Sequence, residues 1–115
     1  MLEIAVEPST ESGGYHICCL AGEVDAYTVG EFREALGTLD DVRWLIIDLS
    51  EVPFMDSAGL GALIGGIRRV REAEGDVAVV STTASLNRFL HTTGFDRIVP
   101  VTESLEEALT ALAED

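Results

Sequence analysis

The chain contains no lysine. Its seven basic residues are all arginine, against 21 acidic residues, for a formal net charge of -14 over 115 residues. Without lysine there is no Ser–Lys dyad and no Gly-Lys-[Ser/Thr] phosphate loop. So acidic a chain is a poor binder of nucleic acid, because binding it rests on neutralising phosphates with basic side chains. The charge serves solubility or a basic partner surface, and it favours a monomer when the protein is alone. Cysteine is scarce too. Cys18 and Cys19 are neighbours and, on a strand, point to opposite faces, so they are expected to be buried thiols of a reducing compartment rather than a disulfide. No run is long and apolar enough to span a bilayer, so no membrane is expected among the partners. The start, Met1-Leu2-Glu3-Ile4-Ala5-Val6-Glu7, has neither a basic region nor a signal-like core, and a cytoplasmic location is expected.

What is present fits one compact domain over residues 1–115. Leu2, Ile4 and Val6 alternate with Glu3, Ala5 and Glu7, a half-buried strand ended by Pro8. After a polar turn with Gly13-Gly14, residues 15–21 form a second strand, and the short connection predicts an antiparallel hairpin. Gly22-Glu23-Val24-Asp25 breaks it. Asp25 or Thr28 caps a helix, Thr28 with Glu31 in a capping box, and Val29, Phe32, Leu36 and Leu39 share its apolar face. Gly37 and Asp40-Asp41 end that helix. Residues 43–49 are apolar enough to be buried on both faces, so they predict a central strand. A loop with Pro53 leads to a helix over 57–74 with the core stripe Leu60, Leu63, Ile64, Ile67 and Val70. Gly75-Asp76 turns into a strand over 77–81. Thr82-Thr83 caps a helix over 84–92 that Gly94 stops. A short strand over 98–101 follows, then a helix over 103–113 capped by Thr102, with Leu105, Ala108, Leu109 and Leu112 inward. Helix and strand alternate from residue 25 onward, which predicts an α/β fold with parallel strands in its second half.

The organising stretch is Phe54-Met55-Asp56-Ser57-Ala58-Gly59-Leu60-Gly61, where a buried strand passes through a loop into a helix. Ser57 stands at the helix opening, and a phosphate added there would meet free backbone N–H groups. Gly59, Gly61, Gly65 and Gly66 each cost about 1 kcal/mol relative to alanine inside a helix. Ala58, Gly61, Ala62 and Gly65 cluster on a side with almost no side chains. That side is either a docking face for another protein or a surface for close packing within the domain. As a nucleophile Ser57 fails on context. Gly-x-Ser-x-Gly is absent, since Met55 lies two before the serine, and nothing couples His16 or His91 to it. No metal-ligand cluster is spaced for binding. The protein is not expected to be an enzyme or to need a cofactor.

Leu45-Ile46-Ile47-Asp48-Leu49 followed by Val52-Pro53-Phe54-Met55-Asp56-Ser57-Ala58-Gly59-Leu60-Gly61 resembles the signature of STAS domains, and more narrowly of bacterial anti-sigma factor antagonists. Gly22-Glu23-Val24-Asp25 resembles that family's second motif, and Leu90-His91-Thr92-Thr93-Gly94-Phe95 a helix end in it. The chain departs from the family's usual look at Cys18-Cys19 and Gly65-Gly66, outside the motif. The missing lysine makes it a poor match to aspartyl-phosphate receivers. The resemblance implies a single STAS domain, a small mixed β-sheet with helices packed beside it. It also implies a mechanism. The unphosphorylated antagonist binds an anti-sigma factor that is a serine kinase and so frees a sigma factor. The kinase then phosphorylates the antagonist with ATP, and a phosphatase resets it. By position the phosphoacceptor is Ser57, flanked by Asp25 and Asp56, which shape the contact. Beside this, the small-residue side of the helix read from its spacing, Ala58, Gly61, Ala62 and Gly65, is expected with Gly59 to complete the partner surface. The alternative is a STAS scaffold or transport-complex subunit that binds an ATPase and is never phosphorylated.

Overall fold

The computed structural model describes residues 2–8, 15–38 and 43–113. The five strands are β1 (Glu3–Pro8), β2 (Tyr15–Ala21), β3 (Trp44–Glu51), β4 (Asp76–Val80) and β5 (Val101–Thr102); the four α-helices are α1 (Val29–Gly37), α2 (Ser57–Glu72), α3 (Ala84–Thr92) and α4 (Leu105–Ala113). The sheet order is β1-β2-β3-β4-β5. β1 runs antiparallel to β2, with Val6 opposite Cys18. The rest are parallel: Cys18 pairs with Ile47, Ile47 with Val79, and Val79 with Val101. This is the expected mixed sheet, and β3 lies at its centre.

Side-chain alternation along β3 and β4 divides the core into two layers. Leu45, Ile47, Leu49, Val77 and Val79 meet Phe32, Leu36, Leu63, Ile67, Leu86 and Leu90, so α1, α2 and α3 cover one face. Ile46, Ala78 and Val80 meet Ala108 and Leu112 of α4 on the other. Among the described residues no helix is long and apolar enough to cross a membrane.

Several expected element ends shift, each for a local reason. Residues 95–97 form a 3-10 turn and β5 is only Val101–Thr102, so the strand expected over 98–101 shrinks to its last residue and one beyond. Thr102 does not cap α4: its hydroxyl donates to the Val79 carbonyl at 2.9 Å, while Ser104 Oγ accepts from the Glu107 amide at 3.1 Å. The helix therefore starts at Leu105, which is exposed rather than inward. Thr83 takes the N-cap position of α3 without a side-chain cap bond. The stop at Gly94 is as expected, with φ +82°. Leu39, Asp40, Asp41 and the Gly13-Gly14 turn lie outside the described residues.

Candidate functional site

The site is built from two loops at the C-terminal ends of parallel strands, one from β2 to α1 and one from β3 to α2. A single parallel bridge, Val24 to Met55, joins them. The Val24 amide donates to Phe54 O at 3.0 Å and the Asp56 amide to Val24 O at 3.1 Å. Val24 and Met55 are buried beneath. The two loops are therefore joined into one hydrogen-bonded unit.

Two aspartates fix the surface above that bridge. Asp56 is the N-cap of α2, and its Oδ1 accepts from the Gly59 amide at 3.0 Å, which satisfies one of the orphan donors of a helix start. Its Oδ2 reaches the other loop and accepts from the Ala26 amide at 3.2 Å. Asp25 Oδ1 accepts from the amides of Tyr27 at 2.9 Å and Thr28 at 3.1 Å. The expected capping box of Thr28 with Glu31 does not form. The Thr28 hydroxyl instead accepts from the Asp25 amide at 3.0 Å and donates to Glu23 O at 2.9 Å. Asp25 Oδ1 closes an Asx-type turn with the Tyr27 amide and occupies the Thr28 amide that the Glu31 carboxylate would take in the box.

Ser57 is the first residue of α2 and its side chain is exposed. The helix's first internal bond runs from the Leu60 amide to Asp56 O, and Asp56 takes the Gly59 amide. Among the described residues the amides of Ser57 and Ala58 have no acceptor, as the geometry of a helix start requires. Neither histidine approaches Ser57 by any described hydrogen bond: His91 Nδ1 pairs with Asp96 Oδ2 at 2.7 Å.

The bare side of α2 is narrower than the sequence suggests. Gly61 and Gly65 are exposed, and a Cβ at either would meet nothing within 4 Å. They floor a groove between α1 and α2 whose walls include Arg33, Leu36 and Arg69. Ala62 and Gly59, expected on the same contact surface, are buried in the core instead. At Gly59 an added Cβ would stand 2.6 Å from Val24 O, so this glycine lets α2 start against the neighbouring loop. Gly66 does the same for α1, where an added Cβ would fall 2.6 Å from Leu36 Cδ1. Ala58 is half-buried against the core. The buried stripe of α2 is thus Gly59, Ala62, Leu63, Gly66, Ile67 and Val70, rotated toward the small residues, with Leu60 and Ile64 on its shoulder.

The site also contains residues that hydrophobic periodicity does not mark. Tyr27 is 95% exposed and Phe54 50% exposed, one on each of the bridged loops. A large aromatic ring on a loop with no periodic partner is the only signal the sequence offers for them. The cysteines lie away from this end. Cys18 is buried and Cys19 exposed, neither in a disulfide. Burial, with the adjacent Cys19, pushes the Cys18 thiol up to about 12, so it stays protonated and unreactive at neutral pH.

The family model described as STAS domain matches residues 9–108. The chain belongs to the STAS-domain family. It is 29% identical over 102 residues to the anti-sigma-B factor antagonist of Listeria monocytogenes, covering 87% of this chain and 90% of that one. A crystal structure of an anti-sigma factor antagonist from Mycobacterium paratuberculosis superposes with a TM-score of 0.88 at 30% identity, over 98% of this chain and 95% of that one. The phosphorylated form of the Bacillus cell fate determinant SpoIIAA shares the fold, with a TM-score of 0.69 at 22% identity over 94% of this chain and 97% of that one. The relatives in Listeria monocytogenes and Staphylococcus aureus are both anti-sigma-B factor antagonists.

Proposed function

We propose that this protein is a cytoplasmic anti-sigma factor antagonist switched by phosphorylation of Ser57. Unphosphorylated, it binds an anti-sigma factor that is itself a serine kinase, and the sigma factor is released. The kinase then transfers the γ-phosphoryl group of ATP to Ser57 Oγ, the hydroxyl proton leaves, and ADP remains. A phosphatase hydrolyses the phosphoserine and resets the cycle.

The observation that carries this reading is the placement of Ser57. This serine is exposed at the start of a helix whose first two amides lack acceptors among the described residues. A phosphoserine brings about -1.5 to -2 charges. The helix N-terminus stabilises them, typically by about 0.3–1 kcal/mol near a surface. Asp56 opposes them but is held by two backbone amides. The fold therefore survives the modification. The complex does not, because the kinase surface facing Ser57 must hold the nucleotide's own phosphates, and a second anionic group there meets like charge and lost space. Loss of one central contact costs more than about 2 kcal/mol, which is over tenfold in affinity.

The test mixes the chain with the serine-kinase anti-sigma factors of its own organism, one at a time, with ATP. Mass spectrometry of the peptide containing Ser57 is expected to show one added phosphoryl group. By calorimetry, Ser57→Ala is expected to bind like the parent and resist modification, and Ser57→Asp to bind at least tenfold more weakly. Equal binding by the two variants would refute the switch. Binding without any modification of the parent would instead describe a scaffold.

A further inference from the structure

We infer that Tyr27 and Phe54 are the anchors by which the unphosphorylated chain is held, and that they enter an apolar cleft rimmed by arginine or lysine on a partner protein. The inference rests on the antagonist reading and adds to it the residues that hold the complex and the chemistry of the surface that receives them.

The aromatic residues of this chain span the range of burial, with Tyr15, Trp44 and Phe89 in between. Phe32 and Phe95 are fully buried, while Tyr27 stands almost wholly in water and Phe54 half so. A lone exposed ring is ordinary. These two are not isolated in the fold: each sits on one of the two loops joined by the Val24–Met55 bridge. Tyr27 directly follows Ala26, whose amide Asp56 Oδ2 holds, and its own amide is held by Asp25 Oδ1. Phe54 directly precedes Met55, and its carbonyl accepts from the Val24 amide. Both rings are thus carried on backbone fixed before any partner arrives. Pre-organisation of this kind removes much of the ordering cost of binding. Tyrosine is enriched at binding hot spots, and phenylalanine at protein interfaces.

Charge selects the occupant. Residues 22–28 and 50–56 include Glu23, Asp25, Glu51 and Asp56 and no arginine. Glu23 and Glu51 are exposed at the rim. A second copy would bring the same acids against these and be repelled, as would any anionic surface. A partner that offers cations around an apolar cleft satisfies both the rings and the rim. Ser57 immediately follows Asp56 at this bridged end, so a phosphoryl group on it intrudes where the rings enter.

The experiment measures binding of the unphosphorylated chain to the anti-sigma factor kinase that holds the parent, by calorimetry with ADP present. Tyr27→Ala and Phe54→Ala are each expected to raise Kd at least tenfold, and Tyr27→Phe to stay within about threefold of the parent. The thermal midpoint of Tyr27→Ala is expected to match the parent, since its ring lies in water. Tyr27→Ala is the decisive variant should Phe54→Ala prove unstable. A parent that binds while Tyr27→Ala binds equally well overturns the anchors and leaves the antagonist reading standing. A parent that binds no such kinase overturns both. Self-association of the parent that Tyr27→Ala abolishes, with kinase binding unchanged, overturns the choice of partner.

Discussion

A methyl group added at Gly59 would stand 2.6 Å from the Val24 carbonyl oxygen, whereas one added at Gly65 would meet nothing within 4 Å. The two glycines share a helix but are kept for different reasons. Val24 O accepts the Asp56 amide, so it cannot retreat without opening the bridge that joins the two site loops. Gly59→Ala is therefore expected to cost about 1–3 kcal/mol, the usual range for overpacking. Gly65→Ala removes only the entropic penalty of glycine in a helix and is expected to stabilise by about 0.5–1 kcal/mol. Urea unfolding of both variants, compared at constant m-value, checks the pair. A destabilised Gly65→Ala would mean that the groove floor is held by contacts within the domain. A stabilised one would mean that the glycine is retained for something outside it.

At the scale of elements, hydrophobic pattern predicted strands and helices well and their ends less well. The alternation in β1 and the apolar run of β3 specify burial directly, because each side chain's face follows from its parity. Helix ends are decided by competition between side chains for the same amides, which spacing alone does not resolve. Asp25 holds the Thr28 amide that the Glu31 side chain takes in a capping box, and Ser104 rather than Thr102 accepts from the first turn of α4. The start of α2 at Ser57 is legible in the sequence, and Asp56, just before it, is the N-cap. Gly59 and Ala62 are buried rather than on the contact surface: a small residue looks alike in sequence whether it admits a partner or a neighbouring helix. The end of α2 shows the same ambiguity. Gly75 reads as the turn residue, yet the positive φ, 68°, belongs to Glu74. Gly75 is needed for another purpose: an added Cβ there would stand 2.4 Å from Arg43 O. Glu74 thus bears the left-handed conformation, at a cost of about 1–2 kcal/mol for a residue with a Cβ. Glu74→Gly is expected to recover about 1 kcal/mol, a rise of roughly 4 °C in Tm for a chain of this size. An unchanged or lower midpoint by calorimetry would show that the Glu74 side chain contributes elsewhere.

The whole molecule carries its charge unevenly. Three of the seven arginines, Arg68, Arg69 and Arg71, fall in the last turns of α2, where cations suit the helix dipole. Arg71 is already paired with Asp76 at 3.1 Å. A helix of this length places them about 20 Å from Ser57. The two loops of the Ser57 end carry acids and no arginine, with Arg33 on the groove wall beside Gly61, one helical turn on, within a body only 34 × 25 × 23 Å in extent. That is two to three Debye lengths at about 0.1 M salt, so the charges of a chain with net -14 act between near neighbours and on a partner at close approach, and over longer range as salt falls. Salt should move these two effects in opposite directions. Raising NaCl from roughly 20 to 200 mM screens self-repulsion and is expected to raise the melting temperature of the isolated chain. Over the same range association with a cationic partner surface is expected to slow several-fold, with dissociation much less affected. Stopped-flow association alongside calorimetric melts separates the two. An association rate that held steady while the melting temperature rose would show that the acidic end stabilises nothing in the encounter, and that the charge of this chain serves solubility alone.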